Sequence, residues 1–520
     1  MKIIKNIGLL IFMLGLFIFT LSTFLGEFTP TKDIIKQSLS EQQYENIGIQ
    51  VEGALGNKTY LSPIPISSTF AKIYNSANNE LKAKQQWDKV MWDSPQVAVF
   101  QLIKSSSTGI YMHYEWLIFL LTFGLSILGS LMYILPDVIL LGSPGIKNNK
   151  IFQSSATNRG WIGWVSFVYL VLFYIILYFF PALLTNQILI VNPISMAISG
   201  NASSQWFLYG FIYCTIMSVM AVRMFIKYRH SNYQLLRTGT VLFFQIAFAF
   251  LIPEILMRFN LPYMDFKNAW PLDYDFFFEW NINGLIASGN IGLFMFVWGV
   301  IFSLLIIPTF TYFYGKRWYC SWVCGCGGLA ETLGDPYRQL SDKSEKAWKI
   351  ERYLIHSVLV LAIIMTGATL YTYFTGSSQF IGISTYDIQK SYGFLIGAVF
   401  SGIIGTGFYP ILGNRVWCRF GCPLAAYMGL IQRFKSRFRI TTNGGQCISC
   451  GNCSTYCEMG IDVRWYAQRG QNIVRSSCVG CGVCSSVCPR GVLNLENKEE
   501  NGRFGKPTDL DDNGLIISNT

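Results

Sequence analysis

The chain has 520 residues, of which 52% are hydrophobic and only 13% charged, when a soluble globular domain carries about 25% charged residues. Such a chain cannot cover itself with water-compatible surface, and the collagen-like, disordered and small disulfide-rich secreted classes are excluded. The net charge of +11 arises from 40 Lys plus Arg against 29 Asp plus Glu. Because the basic residues flank apolar segments, this charge points to membrane orientation rather than to nucleic acid.

A helix needs roughly 20 mostly apolar residues to cross a bilayer. Eight windows qualify: Ile7 to Gly26, Glu115 to Leu135, Gly160 to Ala182, Trp206 to Phe225, Leu235 to Pro253, Ile291 to Tyr314, Arg352 to Phe374 and Tyr392 to Leu412. The first follows Lys2 and Lys5, but its apolar run is long for a secretory signal and no Ala-x-Ala-like site follows, so residues 1–26 read as an uncleaved anchor. Lys147, Lys150 and Arg159, then Lys227, Arg229 and Arg237, then Lys316, Arg317 and Arg338 fill alternate loops. The intervening loops are uncharged (183–204) or acidic (255–290, with Asp265, Asp273, Asp275 and Glu279). This asymmetry predicts a multi-pass protein of the bacterial inner membrane with both termini in the cytoplasm.

Residues 27–114 then lie outside as a small polar cap, with a turn at Ser62-Pro63 and a helix from about Thr69 to Trp92. The run Ser105-Ser106-Ser107-Thr108-Gly109 has hydroxyls of the kind that can carry covalent flavin, but without a supporting flank it reads as a plain Ser-rich loop, and flavin is not expected. Spans two to five fill residues 115–254. An outer loop fills 255–290, and spans six to eight fill 291–440.

After Arg415 the apolar runs stop and cysteines begin. Of 14 Cys, eight fall between Cys447 and Cys488. Cys447, Cys450, Cys453 and Cys457 form C-x2-C-x2-C-x3-C, and Cys478, Cys481, Cys484 and Cys488, followed by Pro489, repeat it. This is the bacterial ferredoxin run, in which the fourth Cys of each motif serves the other cluster. One [4Fe-4S] cluster is therefore expected on Cys447, Cys450, Cys453 and Cys488, and a second on Cys478, Cys481, Cys484 and Cys457. Zinc modules favour well-separated pairs, and a reducing cytoplasm disfavours disulfides. Gly451, Gly480 and Gly482 would let backbone approach the sulfides. Glu458 stands where the motif usually has Pro, which alters the turn after Cys457 and not the ligands. A small α+β 2[4Fe-4S] domain is thus predicted over 441–498, below an α-helical polytopic membrane half, with 499–520 as a tail.

Four further cysteines form an internal repeat. Gly315-Lys316-Arg317-Trp318-Tyr319-Cys320 and Cys324 return after the eighth span as Gly413-Asn414-Arg415-Val416-Trp417-Cys418 and Cys422. Spacing of four on a helix puts both thiols of a pair on one face. Cys320, Cys324, Cys418 and Cys422 are expected to share a centre at the membrane boundary: an iron-sulfur cluster, Cu(I) or zinc, with reduced core thiols as the plain alternative. Cys326 can replace one ligand. Cys214 reads as an ordinary buried thiol.

From about Ile291 to Glu496 these elements resemble the membrane polyferredoxin family of NapH, NosR and CcoG type. The resemblance implies an oxidoreductase component passing electrons between cytoplasmic-side clusters, the quinone pool and an extracytoplasmic acceptor, with a protein donor or acceptor as partner. It equally implies the alternative of copper reduction for assembly of a respiratory metalloenzyme. An iron-sulfur redox sensor is a third reading. Gly325-Cys326 stands where the family shows Pro, and with so little chain after Cys488 no immunoglobulin-like tail of the CcoG type is expected.

Among only three His, His356 sits just inside the seventh span and is the candidate for touching quinone or relaying a proton. His113 and His230 fall on opposite membrane faces, and no C-x-x-C-H is present for c-type haem. Arg433, Lys435, Arg437 and Arg439 alternate with apolar residues and would rest on anionic lipid headgroups. Trp116, Trp161, Trp206 and Trp318 read as an interfacial belt. No nucleic-acid partner is expected.

Overall fold

A computed structural model describes residues 1–86, 89–91, 94–140 and 156–497. Lys147, Lys150, Trp92 and the tail 499–520 lie outside the described residues. Among the described residues the chain is mostly helical, and seven helices are long and apolar enough to cross a membrane: Lys2–Leu21, Glu115–Leu140, Trp161–Phe179, Gln205–Lys227, Asn232–Arg258, Gly289–Tyr314 and Glu345–Thr375. The eighth expected span is helical through Thr385–Tyr392, Gly393–Ile404 and Gly405–Gly407, with a last turn at Tyr409–Leu412. Its five Gly between 393 and 407 dilute its hydropathy.

The chain divides into two units, residues 1–140 with 172–215 and residues 141–171 with 216–520. In the first unit, Lys2–Leu21 packs on Glu115–Leu140 through small residues. A Cβ on Gly129 would lie 2.6 Å from the carbonyl oxygen of Gly8, so the two backbones approach as only glycine allows. Lys5 and Asp137 close this pair at 2.7 Å. The polar cap is helical: Lys32–Ser38, a run of turns from Glu41 to Leu55, Pro63–Ala83 and Pro95–Ser105. Phe28, Ile35, Val51, Ile66, Phe70 and Leu102 form its core.

Ser62 and Ser94 cap these last two helices and are each followed by Pro at the first helical position, a favoured start. The helix expected from Thr69 therefore begins six residues earlier, because Ser62-Pro63 is a cap rather than a turn. In the Ser-rich loop, Ser106 Oγ donates to Leu102 O at 2.6 Å. The stretch 183–204, expected as a loop, contains instead two short helices, Pro181–Ile190 and Asn192–Ile198, bent by 70°. Pro193 at the start of the second explains the break. The Asn186 and Gln187 amides donate to the carbonyls of Ser22, Leu25 and Phe19 at 2.8–2.9 Å.

In the second unit, strands Phe438–Thr442 and Leu493–Asn497 pair antiparallel with Ile440 opposite Leu495. Between them lie two short helices, Asn452–Thr455 and Val483–Ser486, each opened by a left-handed glycine, Gly451 (φ 77°) and Gly482 (φ 75°). A single buried core runs through this domain into the membrane-end turns, including Ile440, Val479, Leu493, Tyr319, Trp417 and Met428.

Candidate metal centres

The two C-x3-C elements do not lie on continuous helices. Cys320 ends the turn Arg317–Cys320, and Cys324 is extended (φ −68°, ψ 134°) before Gly325–Thr332. Likewise Cys418 lies in Trp417–Gly421, and Cys422 (φ −79°, ψ 112°) caps Pro423–Phe434. Same-face helical spacing is therefore corrected to a helix break between the two thiols. It arises because Gly325 and Pro423 follow the second Cys. The repeat extends to the left-handed glycines Gly315 (φ 66°) and Gly413 (φ 93°), which turn the chain sharply out of each membrane helix.

All four thiols are buried within one core. Cys422 interacts electrostatically with Cys418, Cys324 and Cys320, so the two pairs converge. The Cys422 sulfur accepts from the Ala425 N–H at 3.4 Å, and Cys418 from Arg415 Nη1 at 3.7 Å. Cys326 joins them, its thiol bonded to Cys324. That bond, with the Gly327 N–H, holds Cys324 below the ordinary thiol range. Burial pushes Cys320, Cys418 and Cys422 up. A buried set of thiols disfavours its own ionisation, so four thiolates here require a positively charged centre among them.

The eight remaining cysteines sort into two cavities. Cys447, Cys450, Cys453 and Cys488 line one. Cys457, Cys478, Cys481 and Cys484 line another. The fourth Cys of each motif therefore faces the cavity of the other. Gly480 and Gly482 also let other parts of the chain approach closely. Both are left-handed, and a Cβ would meet Arg317 Cβ at 2.5 Å and the Tyr233 ring at 2.7 Å. These contacts come from the membrane-end turns, so the glycines let the domain seat closely.

Lys316 supports an anionic occupant. It is 1% exposed, no carboxylate pairs with it among the described residues, and its charge acts on Cys320 and Cys478. A buried ammonium needs a counter-charge, and thiolate-ligated clusters on both sides would supply it. The donor sets fit iron-sulfur clusters at the two cavities, and the boundary thiols fit a third four-thiolate centre.

The largest feature missed from the sequence is a buried ion-pair network. Glu331 accepts from Arg237 Nη2 (2.8 Å), Arg338 Nη2 (2.6 Å) and Arg415 Nη2 (2.7 Å). Glu458 accepts from Arg338 Nη1 (2.7 Å) and Arg415 Nε (2.9 Å). Asp335 accepts from Lys227 Nζ (2.6 Å), Arg223 Nη1 (2.9 Å) and Arg338 Nε (3.1 Å). Burial would raise Glu331, but Arg237, Arg338 and Arg415 hold it well below the carboxylate range. Oxygens of Glu331 and Glu458 lie within 4.8 Å of the Cys481 sulfur. With three arginines spanning the two carboxylates, this cluster is an ion-pair network rather than a cation site. The signal was present in the sequence as the acid, acid, base spacing of Glu331, Asp335 and Arg338.

Two further cavities flank the thiols. One, of about 680 Å³, is walled by Tyr233, Phe244, Phe310, Tyr314, Trp318 and Trp322, and touches Val323 and Gly482. Trp318 thus lines a cavity and packs on Phe310 (5.2 Å between ring centroids) rather than standing in an interfacial belt. The other, of about 270 Å³, is lined by His356 and Cys418 among many cations. The basic run expected on lipid is split. Arg433 lines that cavity, Arg437 stacks on Tyr312 and Phe313, and Arg439 is buried in its strand. His230 lies on the second motif, its Nε2 3.3 Å from Ser486 O.

Residues 418–493 match the 4Fe-4S dicluster domain family, and residues 294–348 with 392–441 match the 4Fe-4S binding domain family. A protein of Escherichia coli (strain K12) named as an electron transport protein, YccM, is 27% identical over 157 residues, covering 28% of this chain and 43% of that one. The methylamine utilization ferredoxin-type protein MauN of Methylobacillus flagellatus is 26% identical over 157 residues, covering 29% and 52%. The regulatory protein NosR of Stutzerimonas stutzeri is 24% identical over 229 residues, covering 40% and 30%. The chain thus spans about half the length, or less, of these relatives. No solved structure matches it.

Proposed function

We propose that this member of the membrane-associated ferredoxin-type electron-transport proteins passes single electrons between cytoplasmic-side iron-sulfur clusters and the quinone pool. Cys447, Cys450, Cys453 and Cys488 would hold one [4Fe-4S] cluster, and Cys478, Cys481, Cys484 and Cys457 the other. Cys320, Cys324, Cys418 and Cys422 would hold a third centre where the spans end, with Cys326 in reserve. When bound, these centres supply one-electron transfer at low potential. The chain's own contribution is a core that reaches all three cysteine sets, through Cys320, Cys324, Cys418 and Cys422, through Cys478 and Cys484, and through Cys453, which is the observation that carries this reading. With about 30 Å of hydrocarbon to the far side, a mobile lipid-soluble carrier is the economical partner. The aromatic cavity between Asn232–Arg258 and Gly289–Tyr314 suits its ring, and its walls adjoin Cys324 and Cys481 in sequence.

In this reading the protein is an eight-span bacterial inner-membrane protein with both ends cytoplasmic. A reporter inserted near Asn75 and one fused after Thr520 would report opposite compartments. The quinone site is tested with the full-length detergent-purified protein under anaerobic conditions. A quinol should reduce clusters seen by EPR, and Thr240→Phe, which fills the aromatic cavity, should slow this at least about tenfold while dithionite still develops every signal. Parent-rate reduction in that variant, or no reduction by quinol, overturns the quinone site.

The hydrogen-bonded thiols of Cys324 and Cys326 support the copper-handling reading as the alternative, with those two as the ion's ligands. Stoichiometric copper in the anaerobically purified protein favours that alternative; iron and sulfide alone favour electron transfer.

A further inference from the structure

We infer that the cavity lined by His356 binds the phosphate of an anionic phospholipid, independently of any cluster. His356, Arg419 and Ser477 line its wall. Arg419 is 3% exposed and Ser477 7%.

The charge on that wall says what the partner is. Apart from Lys316, which faces the thiols, Arg352, Arg419, Arg433 and Arg475 meet one carboxylate, Glu351, which is already bonded to Arg419 Nε at 2.7 Å. A neutral ring would leave this excess uncompensated. A tetrahedral oxyanion presents several acceptor oxygens at once and suits guanidinium forks approaching from different elements. Arg419 belongs to the second C-x3-C turn, Arg433 to Pro423–Phe434 and Arg475 to the ferredoxin domain, where it is held over the Trp348 ring at 4.5 Å.

Size and surroundings select a lipid headgroup over a free ion. At about 30 Å³ per water, a space of about 270 Å³ is far larger than a bare phosphate needs. One wall is the opening of the membrane helix Glu345–Thr375, and the rim continues onto Leu430 and Phe434, which are 36% and 70% exposed. Basic pockets between membrane helices at the cytoplasmic boundary suit headgroups with this chemistry. The lipid would tie the last spans to the ferredoxin domain, since its ligands come from both.

The test uses the delipidated full-length protein in detergent. Phosphatidylglycerol, phosphatidylcholine and inorganic phosphate are titrated separately, with thermal unfolding and native mass spectrometry as readouts. Phosphatidylglycerol should raise Tm and be retained at one per chain, phosphatidylcholine should do neither, and phosphate should compete only weakly. Arg433→Gln combined with Arg475→Gln should weaken phosphatidylglycerol at least about tenfold, the loss of charged hydrogen bonds. Lys435→Gln, off the cavity wall, should not. Equal binding of phosphatidylcholine, or parent-level retention by the double variant, overturns the site. Phosphate binding as tightly as the lipid and excluding it overturns the lipid assignment. Should the double variant fail to fold, Arg475→Gln alone serves in its place. Parent-level affinity in that folded variant together with Arg433→Gln alone overturns the site as well.

Discussion

Glu331→Gln tests how the protein sets the potential of the cluster expected beside it. The carboxylate is 4% exposed and bonded to three arginines, and its oxygen lies within 4.8 Å of the Cys481 sulfur. The surrounding network has five cations (Arg223, Lys227, Arg237, Arg338, Arg415) against three acids (Glu331, Asp335, Glu458), so the variant leaves five against two. Two unit charges at this distance interact by about 3.5 kcal/mol at an effective dielectric constant of about 20. For one electron that is about 150 mV if the added charge sat wholly on that sulfur. Spread over a whole cluster, about a third of it, roughly 50 mV upward, is expected. An EPR-monitored redox titration of the full chain measures it, and the other ferredoxin cluster should move far less. Breaking a buried pair also costs about 3–5 kcal/mol of stability, so signal intensity and unfolding are recorded together. A potential that stays put or falls while the signal is intact would refute the electrostatic argument.

Three other outcomes follow. Cys450→Ser and Cys481→Ser should each remove one of two ferredoxin-type EPR signals and about four irons, because their sulfurs face different cavities; losing both signals from either variant, with the protein still folded, contradicts the sorting. Cys324→Ser should abolish the boundary centre and Cys326→Ser should leave it, as judged by iron content and EPR; the reverse would exchange their roles. Asp335 is held below the carboxylate range by Lys227, Arg223 and Arg338 against the opposing effect of burial. Its stabilisation is therefore complete above the ordinary value and lost below it. The Tm advantage of the parent over Asp335→Asn should hold from pH 7 to about 5 and shrink below about 4; an advantage that grows with acidity contradicts the sign.

The apolar windows and the cysteine spacing were legible because each rests on a local rule: length against bilayer thickness, and ligand spacing against cluster geometry. The repeat that holds Cys320, Cys324, Cys418 and Cys422 was legible as well, although its local shape was not. Identical flanking glycines, Gly315 and Gly413, turn both copies the same way, and it is the turn rather than a helix face that aims the thiols. What stayed hidden depends on partners distant in sequence. Glu458 reads as a departure from a turn motif, and only folding places it on Arg338 and Arg415. The bent pair at 181–198 was missed because an uncharged segment interrupted by Pro193 carries no helical period.

The basic residues show why one pattern can have two causes. Lys227, Arg237, Lys316 and Arg338 were read as orientation signals, and each is less than a twentieth exposed. Three of them are held by Asp335, Glu331 or Glu458, while Lys316 faces the thiols. A cation committed to an internal partner no longer meets a lipid headgroup in the finished protein. During insertion, before Glu331 and Glu458 have been brought together, the same charges are free and still bias which loops stay inside. Neutralising Arg338 should therefore leave topology unchanged, since Arg317 and Lys316 share its loop, yet weaken the folded protein strongly because three carboxylates, Glu331, Asp335 and Glu458, lose a shared partner. Opposite reporter responses near Asn75 and after Thr520, retained in Arg338→Gln alongside a lowered Tm, would separate the two roles; a reporter inversion in that single variant would show that its charge acts mainly on orientation.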